Sequence, residues 1–386
     1  MAALTARELT AMPAPIDPFY AIEISQIAGR LAAEGREIIH MEFGQPQAGA
    51  PQAALEAARQ ALDSSVPGYW QSPSLKARLS QHYREQYGAE VAPERIFLTC
   101  GASPALVLAL VSAFSPGDRV ALARPGYVAY RNTLRGLHMV AEELPCGPES
   151  RFQITAETVA ALDPPPAGLI IASPSNPTGT IIPPAELARI AEVSAARGIT
   201  VISDEIYHGL TYTHPTQTML NFSGDALVVN SFSKYFCMPG WRMGWLVAPE
   251  GLKAQASAYI GNFFLTSPSL SQTAALAALD AREELDRHIG TYARNREILL
   301  DALPRLGLSE IAPPDGAFYI YANVERVTED SFELCKQLLD ETGVVIAPGR
   351  DFDPVNGHRF VRFSFAVETE TVEAALERLR VWFASQ

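Results

Sequence analysis

Lys234 is the residue whose setting in the sequence most clearly indicates chemistry. It follows a short apolar strand predicted over residues 226–230, and ligands of open α/β sheets bind at the carboxyl ends of strands. Ser231 and Ser233 precede it within three residues, and Arg242 follows eight residues later. Hydroxyl and guanidinium groups bind phosphate, and a primary amine forms a Schiff base with an aldehyde. Pyridoxal 5′-phosphate (PLP) carries both groups and is the obvious candidate ligand. A surface lysine in a serine-rich loop is the alternative.

Two other predicted strands also end in polar side chains. The strand over 169–172 leads into the turn S-P-S-N-P-T-G, where the amide of Asn176 can donate to a phenolate-like oxygen. The strand over 200–203 leads to Asp204, with Tyr207 three residues later. A carboxylate beside a pyridine nitrogen keeps that nitrogen protonated, so that the ring acts as an electron sink. The alternatives are an ordinary Pro/Gly turn for Asn176 and a helix N-cap for Asp204.

A fourth strand end, near residue 99, has the composition of an anion site. Gly101, Ala102 and Ser103 separate a strand over 96–99 from an apolar helix. N–H groups at the start of a helix bind anions, and small residues let a phosphate approach closely. Ser103 could equally be a simple N-cap, with Pro104 at the first helical position.

Arg362 lies in a predicted strand over residues 359–365, where it alternates with Val361 and Phe363 and therefore points to the opposite face. An arginine in such a strand needs a partner, and a substrate α-carboxylate that accepts two parallel hydrogen bonds is a good one. A structural salt bridge is the alternative.

Short β-branched runs alternate with helical stretches from about residue 96 to 248, which predicts an α/β fold with a mostly parallel sheet sandwiched by helices. After about residue 280 the pattern of predicted helices and strands changes to that of an α+β unit. We therefore expect a large ligand-binding domain over 46–280 and a small domain over 281–386. Residues 1–45, with Pro13, Pro15 and Pro18 ahead of a helix over 22–34, are expected to form an arm and part of the small domain.

Composition excludes several classes of function. The chain has 386 residues, of which 48% are hydrophobic and 19% charged, as in globular proteins of two or three domains. Its net charge of −13 and its lack of a basic cluster argue against a nucleic-acid partner. The four cysteines are widely spaced without a C-x-x-C pair, so we expect neither a metal site nor disulfides, and a reducing cytoplasm is the simplest compartment. No signal peptide or membrane span is predicted.

The motifs S-P-x-N-P-T-G, S-D-E-x-Y and S-x-S-K-x-x-x-x-P-G-x-R occur in this order along the chain, and the chain resembles the fold-type I PLP-dependent enzymes over nearly its whole length. The resemblance is to the class I and II aminotransferases, which are aspartate aminotransferase-like. It implies that Lys234 binds the cofactor covalently, that Asp204 pairs with the pyridine nitrogen, and that Asn176 and Tyr207 bond the ring 3′-oxygen. The phosphate would be held by Gly101 and Ala102 through their N–H groups and by Ser103, Ser231, Ser233 and Arg242.

The same resemblance assigns four further residues. Tyr127 would stack on the cofactor ring, Arg362 would bind the substrate α-carboxylate, and Gly44 would let that carboxylate approach the backbone. Tyr69 matches a tyrosine that reaches the phosphate of the neighbouring subunit in a homodimer. The family usually has a glycine five residues after this tyrosine, followed by x-x-x-L-R. This chain lacks that glycine.

The activity implied is amino transfer between an L-amino acid and a 2-oxo acid. Residues 16–20 and 262–266 are expected to line the side-chain pocket, and their aromatic residues hint at apolar substrates.

A PLP-dependent C–S β-lyase of the same fold is the nearest rival, although such lyases often carry a tryptophan shortly after N-P-x-G, where this chain has Thr180-Ile181-Ile182. The other rival is a non-catalytic regulatory domain that binds PLP. Cys237 is expected to be a small buried hydrophobe.

Overall fold

Runs of Val, Ile and Leu form the centre of the molecule because such strands can be buried on both faces of a parallel sheet. The structure is a computed structural model that describes residues 16–64 and 68–385; Pro13 and Pro15 of the predicted arm lie outside these ranges. The strands are β1 (Ile39–His40), β2 (Ile96–Thr99), β3 (Arg119–Arg124), β4 (Val140–Pro145), β5 (Gly168–Ala172), β6 (Thr200–Asp204), β7 (Leu227–Ser231), β8 (Gly244–Val247), β9 (Tyr319–Asn323), β10 (Val344–Val345), β11 (Ala347–Pro348) and β12 (Phe360–Ser364).

Helices connect and cover these strands. They are α1 (Tyr20–Ala33), α2 (Gln52–Ser64), α3 (Pro73–Tyr87), α4 (Ala102–Ala113), α5 (Val128–Gly136), α6 (Ala156–Ala161), α7 (Pro184–Ala196), α8 (Lys253–Phe263), α9 (Ser269–Ala278), α10 (Arg282–Arg305), α11 (Ser331–Thr342) and α12 (Thr369–Phe383). In the part of the chain that the structure describes, no helix is both long and apolar enough to cross a membrane.

The large sheet has the strand order β2-β8-β7-β6-β5-β3-β4. Strand β8 runs antiparallel to its neighbours β2 and β7, and the other pairs are parallel. Successive residues of β5 enter different cores, with Leu169 and Ile171 on one face and Ile170 on the other. The prediction of a mostly parallel sheet covered by helices is confirmed. The carboxyl ends of β2, β5, β6 and β7 therefore meet at one edge, where β8 begins.

A smaller antiparallel sheet, β11-β12-β9, lies in the last hundred residues, and β1 pairs in parallel with β10. Ile24 of α1 shares a hydrophobic core with Leu299 of α10 and Phe363 of β12. Helix α1 thus packs against the C-terminal part of the chain. The exact domain boundaries stay a prediction.

The segment that leads into α1 is fixed from two sides. The buried carboxylate of Asp351 accepts the N–H groups of Tyr20 and Ala21 at 2.7 and 2.9 Å. The carboxylate of Asp17 accepts hydrogen bonds from Arg131 and Arg135 of α5 at 3.1 and 2.8 Å. Residues 17–21 are therefore tied both to the loop after β11 and to a helix of the large sheet.

Candidate active site

A cavity of about 350 Å³ lies at the carboxyl edge of the large sheet, a volume typical of small-molecule sites. Residues from both sheets line it. Those that the sequence predicted are Gly44, Ala102, Ser103, Tyr127, Asn176, Asp204, Tyr207, Ser231, Ser233, Lys234, Arg242 and Arg362. Gly101 lies beside it, in contact with Arg242. Tyr69 is not among the residues that line this cavity.

Lys234 lies three residues beyond β7, in the turn that begins at the cavity. Its Nζ donates a hydrogen bond to the carbonyl oxygen of Gly44 and lies 5.7 Å from the centre of the Tyr207 ring. Burial is the main reason that the pKa of Lys234 is lowered to about 8; the charges of Arg362 and Arg242 contribute to this lowering, and the charge of Asp204 opposes it. A larger fraction of this amine is therefore neutral near pH 7 than for an ordinary lysine, and a neutral amine is the nucleophilic form.

Asp204 is the last residue of β6, and both of its carboxylate oxygens are hydrogen-bonded. Oδ2 accepts the hydroxyl of Tyr130 at 2.6 Å, and Oδ1 accepts the N–H of Ile206 at 3.1 Å. Because the chain turns here without starting a helix, the N-cap alternative is excluded. Burial raises the pKa of Asp204 to about 6, opposed by these two hydrogen bonds and by the charge of Lys234. No sequence motif indicated the role of Tyr130.

The predicted phosphate site contains a guanidinium with no acidic partner. Arg242 donates to the carbonyl oxygens of Pro239 and Cys100 at 2.8 and 3.3 Å, and no carboxylate in the described ranges lies within 4.0 Å of it. Gly101 has φ +97°, and a Cβ there would lie 2.5 Å from Arg242 Nη2, so this position requires glycine. Gly101 is also the N-cap of α4. Ser103 is therefore inside the first turn, and the simple N-cap alternative for it is excluded.

The serines complete this corner of the cavity. Ser231 ends β7, and its Oγ accepts the N–H of Ser233 at 3.2 Å. Ser231 pairs with Gly244 across the sheet, which brings the start of β8, and so Arg242, to the same edge as Lys234. The turn after β7, the start of α4 and the residue before β8 thus converge, as the motif spacing predicted.

Arg362 is a buried cation without an acidic partner. Its side chain is 3% exposed; Nη1 donates to Asn176 Oδ1 at 2.9 Å, and Nη2 donates to the carbonyl oxygen of Glu42. Its Nε has no hydrogen-bond partner, and within the described residues no carboxylate lies within the 4.0 Å of an ion pair. The salt-bridge alternative is excluded. Burying an unpaired charge costs several kcal/mol, which an anionic ligand offsets.

Two aromatic rings contact the Arg362 guanidinium. Its Cζ lies 4.3 Å from the centre of the Tyr319 ring and 4.8 Å from that of Phe352. The Tyr319 hydroxyl is hydrogen-bonded to that of Tyr207 at 2.7 Å. Burial raises the pKa of Tyr207 well above its usual value, so its hydroxyl stays protonated. Like Tyr130, Tyr319 lines the cavity but carries no sequence signal that could have identified it.

Two predicted residues lie outside the cavity. Tyr69 is 84% exposed, so within its own chain it contacts no part of the site. Cys237 is buried, and burial raises the pKa of its thiol to about 12. This thiol is not a nucleophile near neutral pH, in agreement with the expectation of a small buried hydrophobe.

A second cavity, of about 420 Å³, lies between α3 and the start of α10. Its charged residues neutralise each other: Arg78 pairs with Asp280 at 2.8 Å, and Arg282 pairs with Asp286 at 3.3 Å. This cavity has no unpaired charge comparable to Arg242 or Arg362. The chemistry is therefore located in the first cavity.

The model of the family described as aminotransferase class I and II matches residues 36–379. The chain belongs to this family. It is 44% identical to the valine–pyruvate aminotransferase of Mycobacterium tuberculosis, over 97% of this chain and 99% of that protein. The fold is similar to the crystal structure of an aminotransferase from M. tuberculosis, with a TM-score of 0.94, 43% identity and full coverage of both chains. It is also similar to aspartate aminotransferase from Thermus thermophilus with maleate, with a TM-score of 0.90, 30% identity and coverage of 99% and 100%.

The enzyme is thus a PLP-dependent aminotransferase that transfers an amino group between an amino acid and a 2-oxo acid. The cavity fits this cofactor: it offers a buried amine of lowered pKa, a carboxylate at a strand end and an unpaired guanidinium beside the start of α4. The relatives named above are all aminotransferases, which gives no support to the β-lyase alternative. The regulatory-domain alternative is set aside because the match to these enzymes spans nearly the whole chain.

We predict that Tyr130→Phe shifts the acidic limb of the pH profile of kcat/KM to higher pH. The Tyr130 hydroxyl stabilises ionised Asp204, so its loss raises the pKa of that carboxyl, which then loses its charge at a higher pH. A hydrogen bond to a charged group corresponds to a shift of about one pH unit. Tyr83→Phe is the control, because it removes a buried hydroxyl that bonds Trp245 outside the cavity. An unchanged acidic limb in Tyr130→Phe would contradict this role.

Proposed function

We propose that this aminotransferase takes its amino group from an apolar L-amino acid, with valine the best candidate, and passes it to pyruvate. The observation that carries this proposal is the charge inventory of the cavity. Among the described residues that line it, the cations are Lys234, Arg242 and Arg362. Each has a task in binding the cofactor or the α-carboxylate.

The positions of the three cations support this division. Lys234 supplies the amine, and Arg242 lies beside the start of α4, where N–H groups favour a phosphate. Arg362 remains for the α-carboxylate. A second carboxylate, as in aspartate or glutamate, would find no free cation among these lining residues, and it would be repelled by Asp204.

The remaining lining is rich in apolar side chains. These are Phe19, Ala21, Ile22, Phe43, Leu106, Ala129 and Ile206. Phe19 belongs to the segment fixed by Asp17 and Asp351, and Ile22 follows this segment directly. Of the two segments expected to line the side-chain pocket, 16–20 contributes Phe19 to the cavity, and 262–266 is not among the lining residues. The name of the M. tuberculosis relative, valine–pyruvate aminotransferase, supports the same substrate pair for this chain.

The proposed roles of the polar residues follow from their positions. PLP, when bound, withdraws electrons from the substrate Cα. Lys234 would hold the cofactor, and its amine would move the proton at the substrate Cα; a pKa of about 8 suits both accepting and returning this proton. Asp204 would stabilise positive charge on the ring nitrogen. The Asn176 amide and the Tyr207 hydroxyl would donate to the ring 3′-oxygen.

Binding and orientation fall to the other residues. Arg362 fixes the α-carboxylate so that the Cα–H bond faces Lys234, and such orientation lowers the activation barrier. Gly44 would let that carboxylate approach the backbone, and glycine is needed here because a Cβ would collide with the Tyr319 hydroxyl. Tyr127, at the start of α5, packs its ring against the cofactor. The phosphate is held by the N–H groups of Gly101 and Ala102 and by Ser103, Ser231, Ser233 and Arg242.

We also propose that the enzyme is a homodimer with Tyr69 completing the partner's phosphate site. Tyr69, Trp70, Phe263 and Leu265 are 84, 46, 57 and 51% exposed. Their segments adjoin, because the hydroxyl of Thr266 donates to the carbonyl oxygen of Trp70. Exposed apolar side chains in one area are typical of an interface. A cytoplasmic location stays a prediction from the cysteine spacing.

A panel of amino donors tests the substrate class. With pyruvate as acceptor, kcat/KM for valine should exceed that for aspartate and glutamate by about a hundredfold or more, since an unpaired buried carboxylate costs several kcal/mol. Released ammonia is followed in parallel and should stay at background. Preference for an acidic donor, or stoichiometric ammonia release, would overturn the proposal.

Arg362→Ala should raise KM for every amino donor by a similar factor, about thirtyfold or more, because the α-carboxylate is common to all donors and loses a charge-assisted contact. Arg359→Ala is the matched control, since Arg359 borders the same strand but pairs with Glu325 at 37% exposure. If the loss were confined to acidic donors, Arg362 would bind a distal carboxylate instead.

Tyr69→Ala chains mixed with Lys234→Ala chains test the shared site. Each hybrid dimer should contain one site that lacks both groups and one site that has both, so activity should recover to about a quarter of wild-type sites in a statistical mixture. The test requires that Tyr69→Ala alone is severely impaired. No recovery despite verified subunit exchange would exclude Tyr69 from the partner's site.

A further inference from the structure

Tyr319 contacts both halves of the proposed active site, although no sequence motif assigns it a role. It is the first residue of β9, it is 0% exposed, and it lines the cavity. Its hydroxyl is hydrogen-bonded to that of Tyr207 at 2.7 Å, and its ring centre lies 4.3 Å from Cζ of Arg362. One side chain therefore touches a residue proposed to bind the cofactor and the residue proposed to bind the substrate.

The backbone at Gly44 adapts to this tyrosine. A Cβ at position 44 would collide with the Tyr319 hydroxyl, and the Gly44 carbonyl oxygen accepts the hydrogen bond from Lys234. The hydroxyl is thus enclosed by Gly44 and Tyr207, in the immediate vicinity of the reactive amine. This close packing leaves the hydroxyl little freedom to turn elsewhere.

An aromatic ring suits the position beside Arg362 better than an acid would. A carboxylate would neutralise the guanidinium and compete with the substrate, whereas a ring face attracts the cation without occupying its N–H groups. Phe352 presents a second ring at 4.8 Å. The guanidinium plane is therefore fixed while its charge stays available.

The hydroxyl acts on Tyr207. Hydrogen bonds in a chain polarise one another, so a hydroxyl whose oxygen accepts a hydrogen bond donates its own proton more strongly. With Tyr319 donating to the Tyr207 oxygen, the Tyr207 hydroxyl is directed toward the cavity. Either tyrosine can be the donor in the hydrogen bond between the two hydroxyls. Because Tyr207 is proposed to donate its proton into the cavity, Tyr319 must be the donor in this hydrogen bond.

We propose that Tyr319 is a positioning residue with two separable functions: its ring fixes Arg362 for the α-carboxylate, and its hydroxyl directs Tyr207 toward the cofactor. The inference rests on the proposed function for the roles of Arg362 and Tyr207. It predicts that the two functions are lost separately in Tyr319→Leu and Tyr319→Phe.

The ring is tested with isovalerate, a valine analogue that lacks the amino group and cannot react. Its dissociation constant is measured by calorimetry on the purified holoenzyme. Tyr319→Leu should weaken binding about tenfold, as expected for loss of a desolvated cation–π contact, and Tyr319→Phe should stay within about twofold. Tyr319→Met provides a second ring-free variant if leucine destabilises the protein.

The hydroxyl is tested by titrating the absorbance of the bound cofactor against pH. A weaker hydrogen bond to the ring 3′-oxygen disfavours its negative charge, so the midpoint in Tyr319→Phe should rise by about half a unit or more. Tyr207→Phe should shift the midpoint in the same direction, and the double variant should shift it by less than the sum of the two.

Tyr321→Phe is the matched control. Tyr321 lies two residues along the same strand and is equally buried, but its hydroxyl has no hydrogen-bond partner in the described ranges and it does not line the cavity. Unchanged isovalerate affinity in both ring-free variants, or an unchanged midpoint in Tyr319→Phe, would overturn the proposal. If Arg362→Ala also leaves isovalerate binding unchanged, the failure lies in the proposed function. If Arg362→Ala does weaken isovalerate binding, only the proposal about Tyr319 has failed, and the proposed function stands.

Discussion

The structure depends on a buried positive charge that the protein leaves without a counter-ion. Arg362 is held by the Asn176 amide oxygen, a backbone carbonyl and two aromatic rings, all of which fix its geometry and none of which cancels its charge. Such an arrangement is unfavourable in the free protein and becomes favourable when a carboxylate binds. On the proposed function, affinity for the group common to all amino acids is built into the fold, while selectivity is left to the apolar residues that line the cavity.

The large sheet explains how separate parts of the chain reach the same site. Parallel strands place their carboxyl ends at one edge, so Asp204 at the end of β6 and Lys234 after β7 lie at the same edge although they are 30 residues apart in the sequence. Strand β8 runs the opposite way and begins at this edge, which brings Arg242 back to it. The small sheet then supplies Arg362 and Tyr319, so the lining of the cavity depends on how the two sheets pack.

Features marked by local sequence could be predicted, and features made by distant contacts could not. Apolar runs that end in Ser, Gly or Pro mark strand ends, which is why Lys234 was correctly placed at the edge of the sheet. The contacts of Tyr130 and Tyr319 span 74 and 112 residues and leave no local pattern. Strand β4 was not predicted, because Val140–Pro145 is an edge strand with two glutamates and a proline.

The central claim is that Arg362 is kept uncompensated in order to bind the substrate α-carboxylate. A crystal structure of the holoenzyme with isovalerate tests this most directly. We expect the isovalerate carboxylate to accept hydrogen bonds from the Arg362 guanidinium at about 2.7–2.9 Å. The branched end of isovalerate should contact the apolar residues of the cavity, which include Phe19 and Ile22. A carboxylate bound elsewhere, with Arg362 paired to an acidic side chain of either subunit, would contradict the account.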